Sequence, residues 1–389
     1  MMRPAPHGLA IIALVPTVIA GWMLARAPDW PARFALPELP PLTCGGEFFE
    51  TRIVREAAPG YAHASTAIEL ADGRLRAFWY EGAIELGHDV KIFTSVFDGT
   101  NWTPAKAVIG PDETASAVGR FVWRIGNPVV YRATDGAMVL IYASVGIGGW
   151  SATSLNAVRS TDDGVTWSQP RRLRTSPTFN FATNVRGSVV PFADGSAMLP
   201  AYNEFVRKFS ELYFIDANLD VRGRRRIAVT PQSIQPFVVA RDDRRARAWM
   251  RTGARNVTLV SDTGDAGWSW SPLVETAIPQ DDKPVAVLAL DDRRMLMAST
   301  TPGHGKPLGP LVLSLSADGG DTWRPFRTLG SEAGGPPPSM YYPWLLRGRN
   351  GEFHLFFTER DDKHGPGSHI RHLRFNGGWL AAQGGAPCS

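Results

Sequence analysis

The chain has 389 residues, 44% hydrophobic and 20% charged, with 39 Gly and 31 Pro. This composition excludes a disordered chain and argues for many short turns. The net charge is +4, but Arg222–Arg226 and Arg241–Arg247 fall at predicted hairpin turns and acidic residues interleave with them. No nucleic-acid partner is therefore expected.

The N-terminus stands apart. Gly8 to Ala25 is a run of 18 residues without a charge, behind Arg3 and His7. A helix rising about 1.5 Å per residue would reach about 27 Å, enough for a thin bilayer core. Ala25-Arg26-Ala27 has the small-x-small form of a cleavage site, but Pro28 follows and opposes cutting. The expectation is a signal-anchor over 1–27, with a cleaved signal peptide as the alternative. With Arg3 kept inside, the remainder is exported, periplasmic or extracellular, and tethered to the membrane. Residues 28–43 are Pro-rich and form a stiff tether, and 44–389 form one folded domain. The two cysteines, Cys44 and Cys388, bracket that domain, and an oxidising compartment would let them bridge.

A lone strand is predicted at Phe48–Val54, followed by a series of hairpins around Asp-Gly, Asn-Gly or Asp-Asp turns. They run Ser65–Trp79, Pro128–Tyr142, Gly187–Tyr202, Gln235–Met250, Val285–Ser299 and Tyr342–Thr358. No long amphipathic helix interrupts them. Units of about four strands repeated six times predict an all-β, six-bladed β-propeller with an N-terminal hydrophobic helix. The lone strand would complete the last blade.

One motif recurs on the predicted outer rim. Ser160, Asp162, Gly164 and Trp167 form Ser-x-Asp-x-Gly-x-x-Trp, and Ser316, Asp318, Gly320 and Trp323 repeat it. Thr263, Asp265, Gly267 and Trp270 form a third copy, and Ser95, Gly99 and Trp102 a fourth with Phe97 at the Asp position. Asp accepts backbone N–H bonds, Gly takes positive φ, and Trp packs on the next layer, so these residues read as turn staples and not ligand contacts.

This motif is the Asp-box, and residues 60–375 resemble the bacterial sialidase-like (neuraminidase, BNR-repeat) family. The resemblance rests also on Ala62–Thr66, Gly126-Asn127-Pro128-Val129, Ser176-Pro177, Leu199–Glu204, Gln235-Pro236 and Tyr342-Pro343-Trp344-Leu345. It implies a Tyr nucleophile assisted by a Glu, an Asp acid/base and three arginines on the substrate carboxylate. Tyr342 matches the nucleophile, with Tyr341 its neighbour, and Arg251 matches the fourth-blade arginine. His63 stands where the first-blade arginine falls, and Ile84 where many relatives carry Arg. The fifth-blade position offers only His304 and Lys306. Gln235 falls near the assisting Glu and is not a base. Glu85 and Asp89 flank the acid/base position.

Further candidates are Glu204 at a strand end, Arg186 with Asn180 and Asn184, and Arg124 with Arg120 and Trp123 before Asn127. Arg360, His364 and His369 lie on or beside a Gly-rich loop. No His/Cys/Asp spacing indicates a metal, although Asp281-Asp282 could touch calcium, and no cofactor is expected. The expected partner is an acidic glycan. Three readings stay open: an exo-α-sialidase hydrolase, a polysaccharide lyase centred on His63, and a non-catalytic glycan-binding or envelope protein.

Overall fold

The computed structural model describes residues 32–384, apart from 41, 43–44, 58–59, 86, 179, 253–255, 303–308, 331–337 and 361–366. The apolar segment 8–25, Cys44, Cys388, His304, Lys306 and His364 lie outside the described residues. Among those described, no helix is long and apolar enough to cross a membrane.

The chain is all-β and propeller-like. Four sheets are separate antiparallel blades. One comprises Arg124–Arg132, Met138–Val145, Thr153–Ser160 and Arg171–Arg172. The next pairs Thr183–Val185 and Val190–Pro191 with Ala197–Asn203, then adds Phe209–Ile215 and Val221–Ala228. The third comprises Ile234–Ala240, Ala246–Arg251, Val257–Thr263 and Val274–Pro279. The fourth comprises Ala286–Ala289, Met295–Thr300, Leu311–Ser316 and Arg324–Thr328.

The remaining sheet has eight strands, so the hydrogen bonding does not divide into the expected six separate blades. Tyr61–Glu69, Leu75–Gly82, Lys91–Phe97 and Lys106–Ile109 form one half, and Ser339–Arg347, Phe353–Arg360, Ser368–Phe375 and Phe49–Ala57 the other. The physical reason is a seam at one residue. Phe49–Ala57 pairs antiparallel with Ser368–Phe375 and ends opposite Ser368. The chain re-enters at Tyr61, which bridges Ser368 in parallel. The Ser368 hydroxyl accepts from Ala62 N (3.0 Å) and donates to Ala62 O (2.7 Å), joining the halves.

Radial position dictates composition. Middle strands are covered on both faces, and Met138–Val145 is buried throughout. Outer strands have one wet face, and Val221–Ala228 alternates accordingly. That alternation places Arg222–Arg226 on a strand and not in the predicted turn. Arg225 lies over Trp268 (3.4 Å to the ring centroid) and Arg226 over Phe209 (4.3 Å), so these long side chains cover apolar surface.

The Asp-boxes are rim staples. Ser160 Oγ donates to Asp162 Oδ1 (2.7 Å) and accepts from Gly164 N (2.8 Å), while Thr166 N donates to Asp162 (2.9 Å). The copy at Ser316, Asp318, Gly320 and Thr322 repeats these bonds at 2.7, 2.8 and 3.0 Å. Trp167 packs edge-on against Phe78, and Trp323 against Trp249 of the preceding blade. Asp163 accepts from Ala71 N (3.0 Å), tying the turn to its neighbour.

Candidate functional site

The innermost strands carry a repeated irregularity. Register shifts interrupt Tyr61–Glu69 between His63 and Thr66 and Arg124–Arg132 between Gly126 and Val129. They recur between Ile234 and Phe237 and between Tyr341 and Trp344. Each shift holds a non-glycine residue at positive φ: Ala64 (55°), Asn127 (49°), Gln235 (54°) and Tyr342 (58°). In three of them a proline follows (Pro128, Pro236, Pro343), which has no N–H for the ladder. Such bulges re-aim a side chain at a cost on the order of 1–3 kcal/mol each.

Two of these side chains meet. Gln235 Nε2 donates to Tyr342 Oη (2.9 Å) and to Tyr202 Oη (3.3 Å). Arg251 Nη1 donates to Gln235 Oε1 (2.9 Å). Arginine has only donors, so the amide must present its oxygen to Arg251 and its nitrogen to the tyrosines. Both phenols therefore accept from Gln235, and their own protons remain available to other acceptors. Gln235 and Tyr202 are each 2% exposed, and Tyr342 is half-buried.

Arg251 is already engaged. Its Nε and Nη2 donate to the two oxygens of Asp282 (2.5 and 2.9 Å). Burial opposes its charge, but Asp282 outweighs that and holds the guanidinium above its usual range. The Asp282 carboxyl is held low by the same pair, against the push of its own burial. Lys283 follows. Its Nζ donates to Asp282 O (3.2 Å) and makes no ion pair among the described residues. Burial, then the charge of Arg251, holds its ammonium below the usual range. Among the described residues no group of three or more His, Cys, Asp or Glu could hold a metal.

His63 is 3% exposed, with Nδ1 2.9 Å from Thr358 Oγ1. Its ring centroid lies 4.2 Å from that of Tyr342 and 5.4 Å from those of Tyr61 and Tyr80. Burial, with the charges of Arg186 and Lys283, pushes its pKa well below the usual value, so the imidazole is neutral. Burial pushes the neighbouring Tyr341 up to about 12. Glu85 faces this aromatic group: Tyr80 Oη donates to its Oε1 (3.3 Å).

The other expected residues make contacts of their own. Arg186 is 2% exposed and donates to the carbonyls of Ser65 (3.0 Å), Tyr342 (2.7 Å) and Pro343 (3.1 Å). It is a strut across the inner strands and has no exposed edge for a sugar. Burial pushes its pKa down to about 10. Asn127 Nδ2 donates to Asn184 Oδ1 (2.9 Å), and Asn180 caps Ser176 N (2.8 Å). Arg124 is buried, donates to Gly148 O (3.0 Å) and lies 5.4 Å from the Trp150 ring centroid. Asp89 is exposed and accepts from Ala83 N (2.6 Å), while Glu204 pairs with Lys208 (3.7 Å). No hydrogen bond, ion pair or ring contact joins Asp89 or Glu204 to the Tyr342–Gln235–Arg251 group among the described residues. Trp123, 44% exposed, stacks on His88 at 4.8 Å.

Sequence reasoning missed Lys283 and the role of Asp282 as the partner of Arg251. It did not single out Tyr202, Tyr61 or Tyr80. A signal for the bulges was present: Asn-Pro, Gln-Pro and Tyr-Pro recur at the start of inner strands, where an interior proline is out of place.

The model of the BNR repeat-like domain matches residues 73–355. A protein of unknown function from Dyadobacter fermentans superposes with a TM-score of 0.68 at 15% identity, over 84% of this chain and 98% of that one. An intramolecular trans-sialidase from Ruminococcus gnavus gives 0.64 at 13%, over 85% and 97%. An α-L-arabinofuranosidase from Fusarium graminearum gives 0.59 at 11%, over 87% and 98%. Comparison with curated protein sequences finds no match.

Proposed function

The chain belongs to the BNR repeat-like family, and on that premise we propose that it recognises an acidic glycan in its central cleft. In this reading Tyr342 contacts the sugar as a hydrogen-bond donor and not as an activated nucleophile. The observation that carries it is the amide at Gln235, which gives Tyr342 a hydrogen bond (2.9 Å) but has no basic atom to take its proton. Lys283 takes the ligand's carboxylate, because Arg251 is committed to Asp282. Sialidase-like neighbours support a glycan as the partner, and an arabinofuranosidase on the same fold means the fold alone does not choose the sugar.

Hydrolysis of exo-α-sialidase type is the second reading, favoured by Glu85, a carboxylate facing the tyrosine group that could serve as acid. The lyase reading loses support from the burial of His63. We further read the eight-stranded sheet as the first and last blades joined at Tyr61 and Ser368, which makes six in all. The reading also has the propeller exported and tethered through residues 8–25, and there its support is the sequence alone.

Titration of the protein with 3′-sialyllactose and with oligogalacturonate tests the proposal. Binding without product, weakened at least 10-fold by Lys283→Met and by Tyr342→Phe, supports it. If no component of the binding responds to either substitution, the proposal is overturned. Release of free sialic acid that Glu85→Gln abolishes establishes the second reading instead.

A further inference from the structure

A pocket of about 480 Å³ is lined by the blade that begins at Thr183 and the segments flanking it, and none of its lining residues belongs to the Tyr342 group. Three arginines line it: Arg207, Arg224 and Arg226. Each is exposed, and none has a carboxylate partner among the described residues. The ladder explains their convergence. Arg224 and Arg226 are two apart on Val221–Ala228, so they share one face. Arg207 comes from the loop between Ala197–Asn203 and Phe209–Ile215.

Beside the arginines stands an apolar wall. Phe205 is 57% exposed and Phe181 is 38% exposed, and their rings meet edge-on with centroids 5.0 Å apart. Two exposed aromatic rings held in fixed relation are a cost to solubility that invites a ligand. Asn203 lines the same pocket, with Oδ1 accepting from Phe205 N (3.0 Å) and thereby setting the loop. Beneath them Glu211 is 1% exposed and accepts from Tyr213 Oη (2.8 Å). Burial raises its carboxyl above the usual range, against the charges of Arg224 and Arg226, which lower it.

Planar guanidinium groups match the two oxygens of a carboxylate or the oxygens of a sulfate ester. Aromatic faces accept the C–H side of a pyranose ring. We propose that this pocket is a second carbohydrate site, holding one anionic sugar residue of an acidic polysaccharide. The proposal rests on the glycan reading of the central cleft but uses different side chains. The strand Ala197–Asn203 stands between the sites, with Tyr202 bonded to Gln235 and its neighbour Asn203 in the pocket.

The test is calorimetric titration of the whole protein with three probes: trigalacturonate, a sulfated heparin-derived oligosaccharide and neutral maltotriose. The expected result is binding of an anionic probe and not of maltotriose. The double variant Arg224→Ala/Arg226→Ala should weaken it at least 10-fold, and Phe205→Ala several-fold. Tyr342→Phe should leave this site unchanged, with all variants keeping the wild-type melting temperature. Whichever anionic probe binds identifies carboxylate or sulfate as the recognised group. The proposal is overturned if neither anionic probe binds, if maltotriose binds equally, or if the double variant binds as wild type. Failure of the cleft reading looks different: the arginine-dependent site persists while no binding responds to Tyr342→Phe or Lys283→Met.

Discussion

Gln235 and Tyr342, 107 positions apart, meet at 2.9 Å because each sits on a bulge at positive φ in an innermost strand. The contact puts an amide where base-assisted attack by the phenol would require a carboxylate.

That exchange can be reversed. Gln235→Glu places a basic oxygen beside Tyr342 and leaves Arg251 a partner. General-base assistance is worth roughly 10²–10⁴ in rate. Release of sialic acid from an activated aryl sialoside should rise at least 10-fold over the wild type. Adding Tyr342→Phe should abolish the gain. An unchanged rate in a folded Gln235→Glu protein would show that Tyr342 is not poised for attack.

Asp282→Ala separates stability from recognition. It removes the partner of a guanidinium that is 13% exposed, while the Asp282 side chain itself is 36% exposed. Loss of a buried pair costs about 3–5 kcal/mol, and solvent screening reduces that here to about 1–2 kcal/mol. The freed Arg251 should bind a ligand carboxylate more tightly. Urea denaturation and sialyllactose titration should therefore move in opposite directions.

Gly187→Ala tests whether the bulge at Gln235-Pro236 must sit where it does. A Cβ there would fall 2.0 Å from Pro236 O, and a backbone carbonyl cannot swing away as a side chain can. Overpacking costs about 1–3 kcal/mol, and the displacement would pull Gln235 from Tyr342. Both the melting temperature and glycan affinity should fall. Gly264→Ala is the control, since nothing lies within 4 Å of its Cβ and its effect should stay within about 0.5 kcal/mol.

Stability should fall on mild acidification. Burial holds His354 at about 3 and keeps His63 and His372 well below the usual value. The unfolded chain binds protons below about pH 6.5, so stability is fully present above that pH and is lost as pH drops. The slope approaches about 1.4 kcal/mol per pH unit for each histidine. A second loss should begin below about pH 4. There the unfolded chain's Asp162 carboxyl takes up a proton that the folded one, held low by hydrogen bonds from Ser160 and Thr166, does not. Denaturant melts between pH 7.5 and 3 would read both windows, and equal stability at pH 7 and pH 5 would contradict the first.

The rim was readable because its information is local. In the Asp-box from Ser160 to Trp167, the hydroxyl, carboxylate, glycine and ring act within eight consecutive residues. Hairpin turns are local too, so strand positions followed. The Phe49–Ala57 strand was readable from its lack of a hairpin partner, and it pairs with Ser368–Phe375. The seam at Ser368 was not, because one hydroxyl bonding across 306 positions leaves no periodic trace.

The centre was only half legible. Tyr342, Gln235 and Arg251 were each visible as residues, yet their connection depends on bulge geometry and on which donors are already taken. Arg186 looked like a sugar contact and is a strut, because three carbonyls surround its guanidinium. Asp282 looked like half of a cation site and neutralises Arg251. By itself, then, the sequence determined the repeat, the rim staples and the family, since those arise from neighbours along the chain. Tertiary structure alone decided which charges remain free for a ligand, because pairing across blades depends on distance in space and not along the chain.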